Sequence, residues 1–173
     1  QSRIDIQGKA TVAKTVNSSL SYILSAIRED QPFGLSPGGL ARGDYNGHSF
    51  WDCATWMFPN LVILYPDIAK SLLDYRYVRI EAAKERARLR GYNGAMWPWE
   101  SALVGFGVAS WHKGDEHEIH IGGDIVHASR LYYYASGDSK WLQTIGWEIV
   151  SETANFYASR IVQDNVTKKY TFK

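Results

Sequence analysis

The sequence predicts an all-α fold, and three observations carry that expectation. Apolar residues recur at helical spacing along most of the chain. Glycine and proline mark the breaks between those stretches, and no segment before the last few residues alternates as a strand does. At 173 residues the chain suffices for one domain with a sizeable core.

The elements follow in order. Val12, Val16, Leu20, Ile23, Leu24 and Ile27 share one face of a first amphipathic helix over about residues 10–29. Pro32, Gly34, Pro37, Gly38, Gly39, Gly43 and Gly47 then break the chain into a long loop. A second helix from Phe50 to Leu64 is apolar on most faces and therefore buried, with Pro59 marking a kink or an early end. Pro66 suits the first turn of a third helix, which Gly91 closes as its C-terminal cap. The charges of this third segment, including the basic run Lys84–Arg90, belong on a solvated face. A short helical stretch after Ser101 and a polar insert around Trp111–His117 lead to a helix over 119–135 that stops at Gly137. Asp138 or Ser139 caps the last long helix, which reaches about Ile161. The tail KKYTFK, ending at Lys173, alternates like a short strand.

Nineteen basic and 18 acidic residues leave a net charge of +1, which argues against nucleic acid or an anionic membrane as the main partner. Apolar runs are interrupted well short of a membrane span, and the opening QSRIDIQGKA has no apolar run of the signal-peptide kind. A single cysteine, Cys53, excludes an internal disulfide framework and leaves the compartment open. It reads as a small buried apolar side chain, because a thiol nucleophile needs an oriented histidine that the sequence does not show. The triplets Asn17-Ser18-Ser19 and Asn165-Val166-Thr167 fit the glycosylation sequon, a pattern common by chance.

Aromatic content is the compositional outlier: 7 Trp, 11 Tyr and 6 Phe make up 14% of the chain. Many of these rings fill a core, yet Tyr45, Trp97 and Trp99 stand in glycine-rich loops where core filling is a less natural explanation. One loop reads GLSPGGLARGDYNGHSFWD (Gly34–Asp52) and the other GAMWPWES (Gly94–Ser101). Each ends in tryptophan beside a carboxylate at an apparent helix start. A flat ring next to a fixed acceptor suits a pyranose, whose C–H face packs on the ring while its hydroxyls donate to the acid. Trp51 then serves as platform, Asp52 as acceptor and His48 as a nearby polar contact, with Trp99 and Glu100 completing one sugar-sized pocket. The plainer alternative makes Asp52 and Glu100 first-turn acids that complement a helix dipole.

Other constellations are weaker. The first loop matches neither GxxxxGK[ST] nor GxGxxG, so no nucleotide cofactor is expected. His112, Asp115, Glu116, His117, Glu118 and His120 cluster in sequence without the HExxH spacing or a thiol, so a solvated loop is preferred to a metal site. Asp124 and His127 fall one turn apart and suit a polar pair lining the pocket.

The blocks GLSPGG…YNGHSFWD, PDIAKSLLDYRYVRIEAAKERARLRGYNGAMWPWES and EIHIGGDIVHASRLYYYASGD occur in the order that resembles glycoside hydrolase family 65, from about Gly34 to Arg160. The nearest likeness is to the protein-glucosylgalactosylhydroxylysine glucosidases, with acid trehalases and disaccharide phosphorylases among the relatives. The resemblance implies an (α/α)6 toroid of helix hairpins, of which residues 1–173 make about half as the N-terminal part of a catalytic domain. It also implies that Trp51 and Asp52 hold the terminal glucose of an α-linked glucoside, and more loosely that Trp99 and Glu100 line the pocket. The family's general acid lies in a Pro-Asp-Glu-Tyr motif that residues 1–173 do not contain. It is therefore expected beyond Lys173, and the isolated chain is expected to be inactive. An inverting hydrolase is the leading expectation. A phosphorylase or trehalase of the family, a non-catalytic sugar-binding protein and a metal-dependent hydrolase remain the alternatives.

Overall fold

The computed structural model describes residues 4–109 and 112–172, and these are mostly helical with one small two-stranded sheet. Helix α1 spans Ala10–Ser25, α2 Phe58–Leu64, α3 Pro66–Tyr77, α4 Ile80–Leu89 and α5 His112–His117. Helix α6 spans Ile121–Ser136, α7 Ser139–Trp141 and α8 Trp147–Arg160. Strands β1 (Ile161–Gln163) and β2 (Tyr170–Phe172) pair antiparallel, with Ile161 opposite Phe172. β1 is an addition to the expected elements, since the sequence places a strand in the tail alone. The last residue of that tail, Lys173, lies outside the described residues. Among the described residues no helix is long and apolar enough to cross a membrane.

Two helices open with π-helical turns, Cys53–Met57 before α2 and Leu142–Gly146 before α8. The Phe58 N–H donates to the Cys53 carbonyl, five residues back. That wider turn leaves Pro59 at the second position of α2, where its missing N–H removes no bond from the helix interior. The anticipated kink at Pro59 is thus replaced by a π turn just before it. Over the second turn lies the Trp141 ring, and a Cβ on Gly146 would meet it at 2.6 Å.

The anticipated third helix is two. Val78 and Arg79 break it without glycine or proline, because the Arg79 guanidinium reaches tertiary acceptors, donating to the carbonyls of Leu103, Pro32 and Tyr75. It also lies 4.3 Å above the Tyr75 ring. Burial pushes this guanidinium below its ordinary pKa. Gly91 and Gly137 end α4 and α6 as expected, with φ of +77° and +67°. The Asp138 carboxylate accepts from the Trp141 N–H at 2.9 Å, the cap foreseen for the last helix.

The largest apolar cluster joins Leu35 and Cys53 to Phe58, Leu61 and Val62 of α2, Ala69, Leu72 and Leu73 of α3, Ala128 and Tyr132 of α6, and Trp141. Helix α1 packs against it through half-buried Leu20, Ile23 and Leu24 and has no fully buried residue. A second cluster, Ile80, Ala83, Ala95, Trp97, Ile121, Ile125 and Ile149, ties α4, α6 and α8 around the loop that follows α4.

That loop is threaded between two helices. The Ala95 N–H donates to the Glu152 carbonyl of α8 at 2.8 Å, and the Met96 N–H to the Ala83 carbonyl of α4 at 3.0 Å. Gly94, at φ +72°, lies so close to α8 that a Cβ would stand 2.2 Å from the Glu152 oxygen, whereas a Cβ on Gly91 would meet nothing within 4 Å. The two glycines therefore separate backbone strain from collision. Gly91→Ala is expected to cost about 1 kcal/mol, the left-handed penalty by itself. Gly94→Ala adds displacement of α8 and is expected to cost ~3 kcal/mol or more in denaturant unfolding. Equal costs would mean that the loop does not press on α8.

Candidate functional site

The two glycine-rich loops meet. Asn46 and Gly47 both have positive φ, and the His48 N–H donates to the Tyr45 carbonyl at 2.8 Å, the pattern of a type I′ turn for which Asn-Gly is the signature. The turn delivers Ser49 antiparallel to Ser101, with both N–H···O bonds at 2.9 Å. Side chains then join across the pair. His48 Nδ1 lies 2.7 Å from Glu100 Oε1, and the Phe50 and Trp99 rings stand edge to face at 5.1 Å.

The C-terminal end of α3 grips both loops. The Tyr75 hydroxyl lies 2.7 Å from Ser101 Oγ and 2.9 Å from the Ala102 carbonyl. The neighbouring Arg76, 5% exposed, donates to Ser49 Oγ and to the Phe50 carbonyl. Gly34 makes room for this grip, since a Cβ there would sit 2.9 Å from Ser49 Cβ and 3.0 Å from the Tyr75 ring. Neither Tyr75 nor Arg76 was legible as a site element, because inside a helical repeat they read as one ring and one charge among many.

Around this junction the anticipated residues divide into three kinds. Trp51 and Asp52 are half-buried at the entry to the π turn, and among the described residues no hydrogen bond or ion pair engages the Asp52 carboxylate. His48 and Glu100 are already paired, with Glu100 only 8% exposed. Trp99 is half-buried and packs against the second cluster beside Trp51. Trp97, by contrast, is a core residue at 3% exposure, and its indole N–H donates to Thr153 Oγ1 at 2.8 Å. The loop around Glu100 starts no helix. The backbone there bends into the Ser101 bridge, so the dipole explanation of Glu100 fails while that of Asp52 survives. The helical stretch anticipated just after Ser101 is a turn for the same reason. The general acid expected beyond Lys173 falls outside the described residues.

Among the described residues Asp115 and His120 of the candidate metal cluster take other partners. Asp115 pairs with Arg86 at 2.8 Å and with Arg90 at 3.0 Å, and His120 Nδ1 lies 2.6 Å from Asp124. Asp124 thus partners His120 one turn before it rather than His127 one turn after. Among the described residues no three His, Cys, Asp or Glu side chains form a metal-sized group. Trp111 and the His112 side chain lie outside the described residues. The basic run is also not wholly solvated: Arg86 is 4% exposed, and it donates to the Trp97 carbonyl at 3.0 Å and to the Asp115 carbonyl. Burial lowers its pKa, and the Asp115 carboxylate opposes that shift.

A cavity of ≈ 20 Å³ lies beneath the junction, lined among others by Leu35, Ser49, Cys53 and Arg76. It has room for about one water and none for a pyranose. Trp51, Asp52 and Trp99 lie half-buried at the outer side of the junction. Cys53 is unsuited to act there. Its thiol is buried, donates to the Leu35 carbonyl and is pushed up in pKa by desolvation. In the native protein it is expected to react with an aromatic disulfide reagent at least ~10²-fold more slowly than in denaturant. Equal rates would place it at an open surface.

Comparison with known proteins places most of the chain in one family. The glycosyl hydrolase family 65 central catalytic domain matches residues 19–173. A kojibiose hydrolase of Flavobacterium johnsoniae is 42% identical to this chain, the alignment covering 100% of this chain and 25% of that protein. A protein-glucosylgalactosylhydroxylysine glucosidase of Dictyostelium discoideum is also 42% identical, with 98% and 24% covered. A solved structure from the human microbiome, provisionally named a kojibiose phosphorylase, superimposes with a TM-score of 0.79 at 28% identity, covering 87% of this chain and 20% of that one. The chain thus spans about a quarter of the length of the curated relatives it matches.

Proposed function

The chain belongs to glycoside hydrolase family 65, and from that premise we propose that it forms part of a catalytic domain that cleaves α-linked glucosides by inversion. Residues 1–173 then supply about half of an (α/α)6 toroid. Trp51 and Asp52 bind the terminal glucose, while Trp99, Glu100 and His48 border it.

One observation carries the reading: the Ser49–Ser101 backbone pair brings the two ring-and-carboxylate segments to a single place. The chemistry of the two acids differs in a way that fits. Asp52 has no protein partner among the described residues, so its oxygens are available to sugar hydroxyls, with charge-assisted bonds worth roughly 1.5–3 kcal/mol each. Glu100 is held by His48 at 2.7 Å, which fixes its orientation before any ligand arrives. A sugar stacked on Trp51 and hydrogen-bonded to Asp52 is fixed in both position and rotation, which is the positional part of catalysis.

Inversion needs two carboxyl groups about 6.5–9.5 Å apart, one donating a proton to the leaving oxygen and one activating water. With Asp52 assigned to binding, neither role falls to it, and the acid comes from a Pro-Asp-Glu-Tyr motif beyond Lys173, which residues 1–173 lack. Hydrolysis is favoured over phosphorolysis by the two relatives at 42% identity, named a hydrolase and a glucosidase. The phosphorylase-named structure keeps inorganic phosphate as the second acceptor to test.

In the complete protein Asp52→Ala is expected to lower turnover of an α-glucosyl disaccharide by about 10²-fold or more, the loss of two charge-assisted bonds. Its unfolding midpoint should stay close to that of the parent, because Asp52 makes no side-chain cap hydrogen bond and its helix-dipole contribution is about 1 kcal/mol at most. Normal turnover in that variant would overturn the site. Release of glucose 1-phosphate instead of glucose, dependent on added phosphate, would replace hydrolysis by phosphorolysis.

A further inference from the structure

We propose that His120 is a positioning residue for the Trp51 indole, held in that role by Asp124. The inference rests on Trp51 being the sugar platform and adds what keeps that platform in place.

The Trp51 ring is bordered by two others. Trp56 lies 5.7 Å away at 62°, five residues on, a spacing that the intervening π turn brings alongside. The His120 ring lies 5.1 Å away at 84°, edge to face. His120 comes from a different part of the chain, just before α6, so the indole is bounded by its own segment on one side and by a distant one on the other.

His120 is itself restrained at both nitrogens. Nδ1 lies 2.6 Å from Asp124 Oδ2, and Nε2 lies 3.5 Å from Glu118 Oε2. Rotation of the imidazole would break the shorter of these contacts. The backbone beneath it is tied to α8: the Tyr157 hydroxyl donates to the Ile119 carbonyl at 2.6 Å and accepts from the Gly123 N–H at 3.1 Å. Gly122 sits against Thr153, where a Cβ would stand 2.7 Å from the methyl group. The backbone on either side of His120 is therefore tied down, and its imidazole, 43% exposed and held at Nδ1, borders the Trp51 ring on the side that neither Trp56 nor the second cluster supplies.

The consequence is for binding rather than for bond cleavage. Stacking a pyranose on a tryptophan requires one ring orientation, and immobilising such a side chain on binding costs about 0.5–1.5 kcal/mol. A brace already present in the free protein removes that cost, so its loss appears in KM with kcat little changed.

The test uses the complete protein and an α-glucosyl disaccharide. His120→Ala is expected to raise KM about 3–10-fold, the fold-change equivalent of that immobilisation, with kcat within about two-fold. Asp124→Asn, which leaves the imidazole in place with a weaker partner, should raise KM by less. His120→Phe keeps a ring without nitrogens and should hold KM within about two-fold of the parent. Parental KM in both His120→Ala and Asp124→Asn overturns the brace while leaving the Asp52 result intact. Failure of His120→Phe to restore KM while its unfolding midpoint is parental also overturns it, and makes His120 a direct hydrogen-bonding contact. Full activity in Asp52→Ala removes the sugar site, and the brace with it.

Discussion

The reciprocal backbone pair between Ser49 and Ser101 is the constraint on which the rest of the site depends. Two loops that leave different helices are joined there by two hydrogen bonds of 2.9 Å. The side chains on either side of the pair, His48 with Glu100 and Phe50 with Trp99, meet because the backbones are already in register. Such a short bridge would open readily if left to water. Tyr75 and Arg76 cover it, one binding the Ser101 side and the other the Ser49 side, and both are consecutive residues at the end of one helix. The site is in effect suspended from the end of α3.

Two further arginines, Arg79 half-buried and Arg86 buried, do the same work elsewhere in the chain. Arg79 gathers carbonyls from Pro32, Tyr75 and Leu103, and Arg86 gathers those of Met96, Trp97 and Asp115. Loop backbone that approaches a core cannot leave its carbonyls unpaired, and the guanidinium fork satisfies several at once. The cost is desolvation of the cation, visible in the lowered pKa of Arg79 and Arg86. At Arg86 the Asp115 carboxylate stands close by and offsets part of it. These residues explain how long irregular segments hold fixed positions around the loop junction.

The aromatic content also divides by role. Trp97 and Trp141 are core residues, each 3% exposed, and Phe156 is 1% exposed. Trp51 and Trp99 are half-buried at the loop junction, each with one side on the second cluster. The exposed rings Trp56 and Trp147 belong to neither group by burial, at 60% and 64%. A pyranose-binding surface needs rings of the middle kind, anchored on one side and open on the other.

Much of the architecture was legible in the chain itself. Helical periodicity, Gly91 and Gly137 as terminators and Asp138 as a cap are local, so the sequence determines them through propensities and caps that act within a few residues. The ring-and-acid motifs of the two loops, and the blocks that resemble the family, were likewise written in order along it. Tertiary structure decided everything that needed a partner far away in sequence. Val78–Arg79 breaks a helix because Arg79 finds carbonyls at Pro32 and Leu103, and Trp97 is buried because Thr153 meets its N–H. Periodicity cannot distinguish these outcomes, since each arises from a side chain satisfying a polar group that only folding brings within 3.5 Å.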